Sequence, residues 1–300
     1  MQGGTDMKKF DVTALGELLV DFTENGMSAQ GNPLLEANPG GAPCNVLSML
    51  QNLGKKTAFI GKVGADMFGT MLTQAVKDQG INIDNLVTDD TVHTTLAFVH
   101  TGVDGDRDFS FYRNPGADMM LREEEIQQEI FADTKIFHFG TLSMTDLRME
   151  QVTKHAVKKA KEQGAVISFD PNLRPQLWKK LGDAADKMWY GISQCDILKI
   201  SDDEISFLTG TADIDQGIGK IMEQYCPALI CATMGKDGSK AYYKGKSVYA
   251  EPFLQKNTIE TTGAGDTFMA CILNTVLDKG INGLSENDMY EICLLYTSPS

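Results

Sequence analysis

The chain has no apolar run near the ~18 residues that a membrane-spanning helix needs and no signal-peptide pattern at its start. It is poor in basic charge: 27 Lys and Arg stand against 41 Asp and Glu, a formal net charge of −14. Nucleic-acid binders show a basic patch or stripe, so this balance argues against that class while leaving room for a local phosphate pocket. Six cysteines, at 44, 195, 226, 231, 271 and 293, form no Cys-x-x-Cys pair, and no Cys/His spacing suits zinc. Four histidines, 93, 100, 138 and 155, are scattered without a nucleophile partner and read as structural. A Walker A loop is absent, and so is a proper Gly-x-Gly-x-x-Gly fingerprint, which sets aside a dinucleotide-binding oxidoreductase. The expectation is a cytoplasmic protein of a reducing compartment, without nucleic-acid or membrane partners.

What is present is an ordinary globular composition, 42% hydrophobic and 23% charged, in a chain long enough to fold without a disulfide or structural metal. The fifteen methionines read as core filler. Short β-branched runs alternate with helical patterns. Strands are expected at 10–15, 57–61, 135–140, 165–170, 196–201 and 228–233. Helices are expected at 45–53, 67–79, 146–163 and after Gly265, with Gly54, Gly80 and Gly164 closing the first three. This alternation predicts an α/β fold with a mostly parallel central sheet flanked by helices. One region departs from it. Residues 94–101 and 107–113 flank Gly102-Val-Asp-Gly-Asp106 as a β-hairpin, and 18–22 and 34–36 add strands to a small sheet that reads as a lid. Residues 8–294 form one domain with lid strands from about 16–38 and 94–113. Residues 1–7 read as a leader. The helical pattern of 288–295 breaks into Tyr-Thr-Ser-Pro-Ser, so 295–300 read as a foreign or truncated tail after about Leu294.

Two segments carry chemistry. In Ile259-Glu-Thr-Thr-Gly-Ala-Gly-Asp-Thr-Phe268, a strand end runs through a glycine turn into a helix. Backbone N–H groups at Gly263 and Gly265 can approach a ligand, and the helix start favours negative charge. Asp266 falls in the first helical turn, either as a functional carboxylate or as a plain helix-start acid. Pro39-Gly-Gly-Ala-Pro-Cys-Asn45 is a second glycine turn opening a helix, with an amide at its start. Both belong at the carboxyl ends of strands, where open α/β sheets bind ligands.

Gly40-Gly-Ala-Pro-Cys-Asn45 and Thr261-Thr-Gly-Ala-Gly-Asp-Thr-Phe268 resemble the two signatures of the ribokinase-like (PfkB) carbohydrate kinases. Arg113-Asn-Pro-Gly-Ala-Asp118 and Ser168-Phe-Asp-Pro-Asn-Leu-Arg174 are similar to the fructokinase branch. The resemblance, from about Lys8 to Leu294, implies a three-layer ribokinase-like fold and ATP-dependent transfer of a phosphoryl group to a sugar hydroxyl, fructose to fructose 6-phosphate. It implies Asp266 as base, with Thr262, Gly263, Ala264 and Gly265 as the anion hole. Sugar contacts would come from Asp21, Gly40, Gly41, Asn45, Arg113 and Arg174. Nucleotide contacts would come from Thr233, Gly235, Lys236 and Gly238, together with Thr262. Glu204, in Ser201-Asp-Asp-Glu204, would reach Mg²⁺ through water, although serine stands at 201 where asparagine is usual. Glu260 replaces a more usual aspartate, which bears on a monovalent-cation site such as one for K⁺. The resemblance also implies a homodimer. A 2-keto-3-deoxygluconate kinase, another sugar kinase of the family, or a catalytically weak relative acting as an interaction protein are the alternatives.

Overall fold

The computed structural model describes residues 8–101, 107–252 and 263–297. The chain opens with β1 (Phe10–Leu15), β2 (Leu19–Met27), β3 (Pro33–Gly40), α1 (Ala42–Asn52), β4 (Thr57–Gly64), α2 (Met67–Asp78) and β5 (Asn82–Asp89). It continues with β6 (Leu96–Thr101), β7 (Arg107–Tyr112), α3 (Glu129–Ala132), β8 (Thr134–Phe139), α4 (Leu147–Glu162), β9 (Val166–Phe169) and α5 (Leu181–Gln194). The last third holds β10 (Ile197–Ser201), α6 (Asp202–Thr209), α7 (Ile214–Gln224), β11 (Leu229–Thr233), β12 (Ser239–Tyr243), β13 (Lys246–Ala250), α8 (Ala264–Lys279) and α9 (Glu286–Thr297).

Nine strands form the main sheet in the order β13-β12-β11-β10-β9-β8-β1-β4-β5. Its pairings are parallel from β11 to β5, with an antiparallel β12–β13 hairpin on one edge. Both faces are covered, which is why β4 is buried at every residue, its one charge, Lys62, being paired with Asp89 and Glu125. On one face α1, α2, α8 and α9 pack Leu47, Leu50, Leu72, Phe268, Ile272 and Ile292 into a core. On the other, α3 to α7 contribute Phe131, Val157, Ile192, Ile205 and Ile221 to a second core. These are the three layers expected from the alternating pattern.

The strand order reverses at β1, whose neighbours are β4 and β8. Ligands of open α/β sheets bind outside the carboxyl ends of strands at such a switch point. The second sheet, ordered β3-β2-β6-β7, is built from chain that leaves the carboxyl ends of β1 and β5. It therefore stands at the same end of the molecule. Asp66 ties its base to α2: one carboxylate accepts from Gly69 N (2.8 Å), Thr94 N (2.8 Å) and Thr94 Oγ1 (2.8 Å).

Two boundaries differ from the sequence reading. Helix α1 starts at Ala42 rather than Asn45, because Pro43 sits within its first turn, where the missing N–H costs nothing. Helix α9 runs to Thr297, beyond the break expected after about Leu294, since tyrosine and threonine weaken a helix's last turn without ending it. The turn at 102–106 lies outside the described residues.

Close packing sets one measurable limit. A Cβ on Gly191 of α5 would lie 2.1–2.4 Å from ring atoms of the fully buried Phe169. Gly191→Ala must displace that ring and is expected to cost about 1–3 kcal/mol. A thermal melt checks it, with a drop of several degrees in Tm and no change of fold by circular dichroism.

Candidate functional site

At the end of β3 the backbone makes two close approaches that only glycine permits. A Cβ on Gly40, which pairs with Leu19 of β2, would lie 2.1 Å from Oδ2 of Asp21 two residues along that strand. Gly41 is the residue before α1, at φ 122°, where a Cβ would stand 2.4 Å from the carbonyl oxygen of Glu17. The turn thus delivers the start of α1 against the carboxyl end of β1. Ala42 N donates to Glu17 Oε1 (3.0 Å), and Asn45 lies half-buried in the same first turn.

The second glycine turn delivers α8 to the same place. Gly263, left-handed at φ 82°, precedes the helix, and Thr267 N closes the first turn on Gly263 O (2.8 Å). Ala264, Gly265 and Asp266 follow within that turn. Asn45 Nδ2 donates to Asp266 Oδ2 at 2.9 Å across 221 residues of sequence. The two segments singled out in the sequence therefore meet in one site. Burial raises the pKa of the Asp266 carboxyl above the usual carboxylate range. The Asn45 donor and the charges of Lys199 and Arg174 hold that rise back.

The two arginines behave differently. Arg174 follows β9, where Nη1 donates to Asn172 Oδ1 (2.6 Å) and the guanidinium lies over the Phe109 ring of β7, 5.7 Å from its centroid. It spans the main sheet and the small one, within electrostatic reach of Asp266. Arg113 is buried, and its donors are engaged inside the protein. Nε meets Asp118 Oδ2 (2.8 Å), Nη1 meets Thr145 Oγ1 (2.7 Å) and Nη2 meets Leu142 O (3.0 Å). Nη2 also lies 2.7 Å from Asp118 Oδ2, so a neighbouring carboxylate already neutralises its charge.

The expected nucleotide segment lies at the ends of the next strands. Thr233 ends β11 beside Ser201 of β10. The turn beyond it exposes Gly235 and Lys236 and returns at Gly238, where a Cβ would meet Ala250 O at 2.3 Å. Thr262 and Glu260 lie outside the described residues. Ser201 and Glu204 close a capping box at the start of α6: Ser201 N donates to Glu204 Oε2 (2.8 Å) and Glu204 N to Ser201 Oγ (3.3 Å). Glu204 Oε1 accepts from Leu173 N (2.8 Å), which anchors the segment carrying Arg174. Among the described residues no group of three His, Cys, Asp or Glu side chains could hold a metal ion.

Sequence reasoning missed three buried charges here. Lys199 Nζ pairs with Asp170 Oδ2 at 2.9 Å, and the signal was available as a lysine inside the otherwise apolar strand Ile197-Leu-Lys-Ile-Ser201. Glu17 lines a small cavity at the β1/β8 switch point with Pro43, His138, Asp170 and Asn172. Burial raises its pKa to about 7, against the N–H of its own backbone and the charge of Arg113. His138, in the same cavity, is pushed down to about 3 by burial and by the Lys199 charge. It is neutral, in keeping with a structural reading.

The model of the pfkB family of carbohydrate kinases matches residues 9–293. A probable fructokinase-2 of Arabidopsis thaliana is 40% identical over 275 residues, spanning 89% of this chain and 82% of that protein. A fructokinase of Xylella fastidiosa, solved with bound ATP, superposes with a TM-score of 0.80 at 31% identity, over 95% of this chain and 86% of that one. A fructokinase of Vibrio cholerae O395, solved with fructose, ADP and calcium ion, does so with a TM-score of 0.83 at 26% identity, over 95% of this chain and 90% of that one.

The raised pKa of Asp266 has a consequence for stability. The folded state binds this proton more tightly than the unfolded chain, so ionising the group at neutral pH disfavours folding. Asp266→Asn keeps an acceptor for Asn45 and removes that penalty. Its Tm is expected to exceed that of the wild type at pH 7. The gain should shrink as pH falls toward the ordinary aspartate value of about 3.9, where the wild-type carboxyl is also protonated. Melts across that range test it.

Proposed function

The chain belongs to the pfkB family of carbohydrate kinases, and from that premise we propose that it phosphorylates fructose on its 6-hydroxyl with ATP. The observation that carries the reading is the convergence of two helix starts on one buried carboxylate, Asp266, whose proton affinity burial raises and which Asn45 holds. Resemblance to fructokinases over most of the chain supplies the substrate class.

In this reading the fructose 6-hydroxyl oxygen attacks the γ-phosphorus, its proton passes to Asp266, and ADP leaves with the bridging oxygen. The phosphoryl group crosses a loose transition state, so positioning and charge stabilisation carry most of the rate. The N–H groups of Gly263, Ala264 and Gly265 and the positive start of α8 supply that stabilisation without a side-chain charge, and Thr262 belongs to the same sequence motif. Thr233, Gly235, Lys236 and Gly238 hold the nucleotide. Asp21, Gly40, Gly41, Asn45 and Arg174 hold the sugar. Mg²⁺ enters as the metal of the MgATP substrate, bound chiefly by phosphates and water. Glu204 already accepts two backbone N–H groups, which suits contact through water better than a direct bond.

Electrostatics favour a neutral sugar over 2-keto-3-deoxygluconate. Arg113 is neutralised by Asp118 and Lys199 by Asp170, so neither offers a free positive charge to a sugar carboxylate. Arg113 therefore acts by holding the turn 113–118 rather than by donating to the sugar. The small sheet, with Met27, Leu34, Leu35 and Tyr112 exposed, serves as a lid and as the pairing face of a homodimer, which sedimentation velocity decides. The six free thiols fit a reducing cytoplasm.

A coupled ADP-release assay over a panel of neutral and acidic sugars tests the proposal. Fructose should be the preferred acceptor, by at least tenfold over the keto-acid, or about 1.4 kcal/mol of transition-state preference. Asp266→Asn should lower kcat by ~10² or more, since general-base help is typically worth 10²–10⁴; near wild-type turnover would remove Asp266 from its role. Arg174→Ala should raise KM for fructose more than KM for ATP, and the opposite split would move Arg174 to the nucleotide side.

A further inference from the structure

Strand β10 alternates Ile197 into the core under α1 and α8, and Leu198 and Ile200 into the opposite core. Lys199 shares the Ile197 face and rises toward the start of α8. Its Nζ lies 2.9 Å from Asp170 Oδ2, and a Cβ on Gly265 would stand 3.0 Å from it. Lys199 is 7% exposed, and its ammonium is surrounded by the charges of Asp170, Glu204 and Asp266.

For stability this arrangement is poor. A cation beneath a helix N-terminus opposes the helix dipole, and buried ion pairs are commonly replaceable by well-packed apolar groups without loss. What the position offers is a fixed positive charge directly under the glycine turn and beside the proposed base. Gly265 leaves the room it occupies.

We propose that Lys199 is a positioning residue for phosphoryl transfer: clamped by Asp170, it seats the Gly263–Gly265 turn over β10 and fixes the place and charge of the Asp266 carboxylate. The inference deepens the kinase reading and rests on it. The groups facing Asp266 are Asn45 from α1, Lys199 from β10 and Arg174 from the segment after β9, with Asp170 and Glu204 beyond the lysine. Removing the ammonium takes away one of the two cations that hold the carboxylate in its ionised form.

The test uses Lys199→Met and the pair Lys199→Met with Asp170→Asn. The second variant removes the carboxylate that the first leaves unpaired, and its amide oxygen still accepts from Asn172 N, as Asp170 Oδ1 does at 3.2 Å. The single variant should lower kcat about 10- to 100-fold, the scale of a small misplacement of reacting groups, with KM for ATP and fructose within threefold. The acid limb of its kcat/KM profile should move to higher pH. The double variant should melt near the wild type yet keep the low kcat, whereas recovery of wild-type kcat by restored packing would overturn the proposal. So would wild-type turnover and an unmoved acid limb in the single variant. A wild-type chain that phosphorylates no sugar would instead overturn the kinase reading, and this inference with it.

Discussion

One hydrogen bond joins the parts of this protein that do chemistry, the 2.9 Å contact from the Asn45 amide to the Asp266 carboxylate. It connects the first turn of α1 to the first turn of α8, helices that pack on the same face of the sheet. Each helix is preceded by a glycine with positive φ, Gly41 or Gly263, which turns the chain into the first helical turn. The contact gives a buried carboxylate a neutral donor rather than a full counter-charge. The group therefore keeps a high proton affinity, as a base needs, and the fold carries the cost of holding it.

The net charge of −14 raises the question of how the same molecule receives a polyanionic nucleotide. The answer lies in local geometry. Helix starts present unpaired N–H groups and a partial positive charge that formal charge counts omit. Lys199 and Arg174 add two cations at the carboxyl ends of adjacent strands. The fold concentrates this field at the switch point beside β1, and the small sheet springs from strand ends on the same side.

Much of this was legible in the sequence. Strands β1, β4, β8, β9, β10 and β11 and helices α1, α2, α4 and α8 follow from apolar periodicity with glycine punctuation, because parallel strands buried on both faces leave dense β-branched runs. The four strands of the small sheet were also foreseen, although β2 and β3 extend further than their short apolar runs suggest. Polar residues such as Thr23 and Asn38 carry the extensions, where Asn38 Nδ2 donates to Thr23 Oγ1. Strands β5, β12 and β13 and helices α5 to α7 were not delineated, since their apolar alternation is irregular, even where, as in the β12–β13 hairpin, the pairing is local. At the site, the glycine turns, Asn45 and Asp266 were readable because each belongs to a local motif. The Lys199–Asp170 pair depends on β9 and β10 becoming neighbours, and the Arg113–Asp118 partnership on how the turn 113–118 folds back. For Lys199 the clue was a charge in an apolar strand.

The central claim is that this junction transfers the γ-phosphoryl group of ATP to fructose. Phosphorus NMR of the purified chain with MgATP and fructose tests it most directly, because it reads the product rather than nucleotide consumption. The account predicts fructose 6-phosphate and ADP appearing in equal amounts, with no growth of inorganic phosphate. Inorganic phosphate in place of a sugar phosphate, or ATP left intact beside fructose, would contradict it.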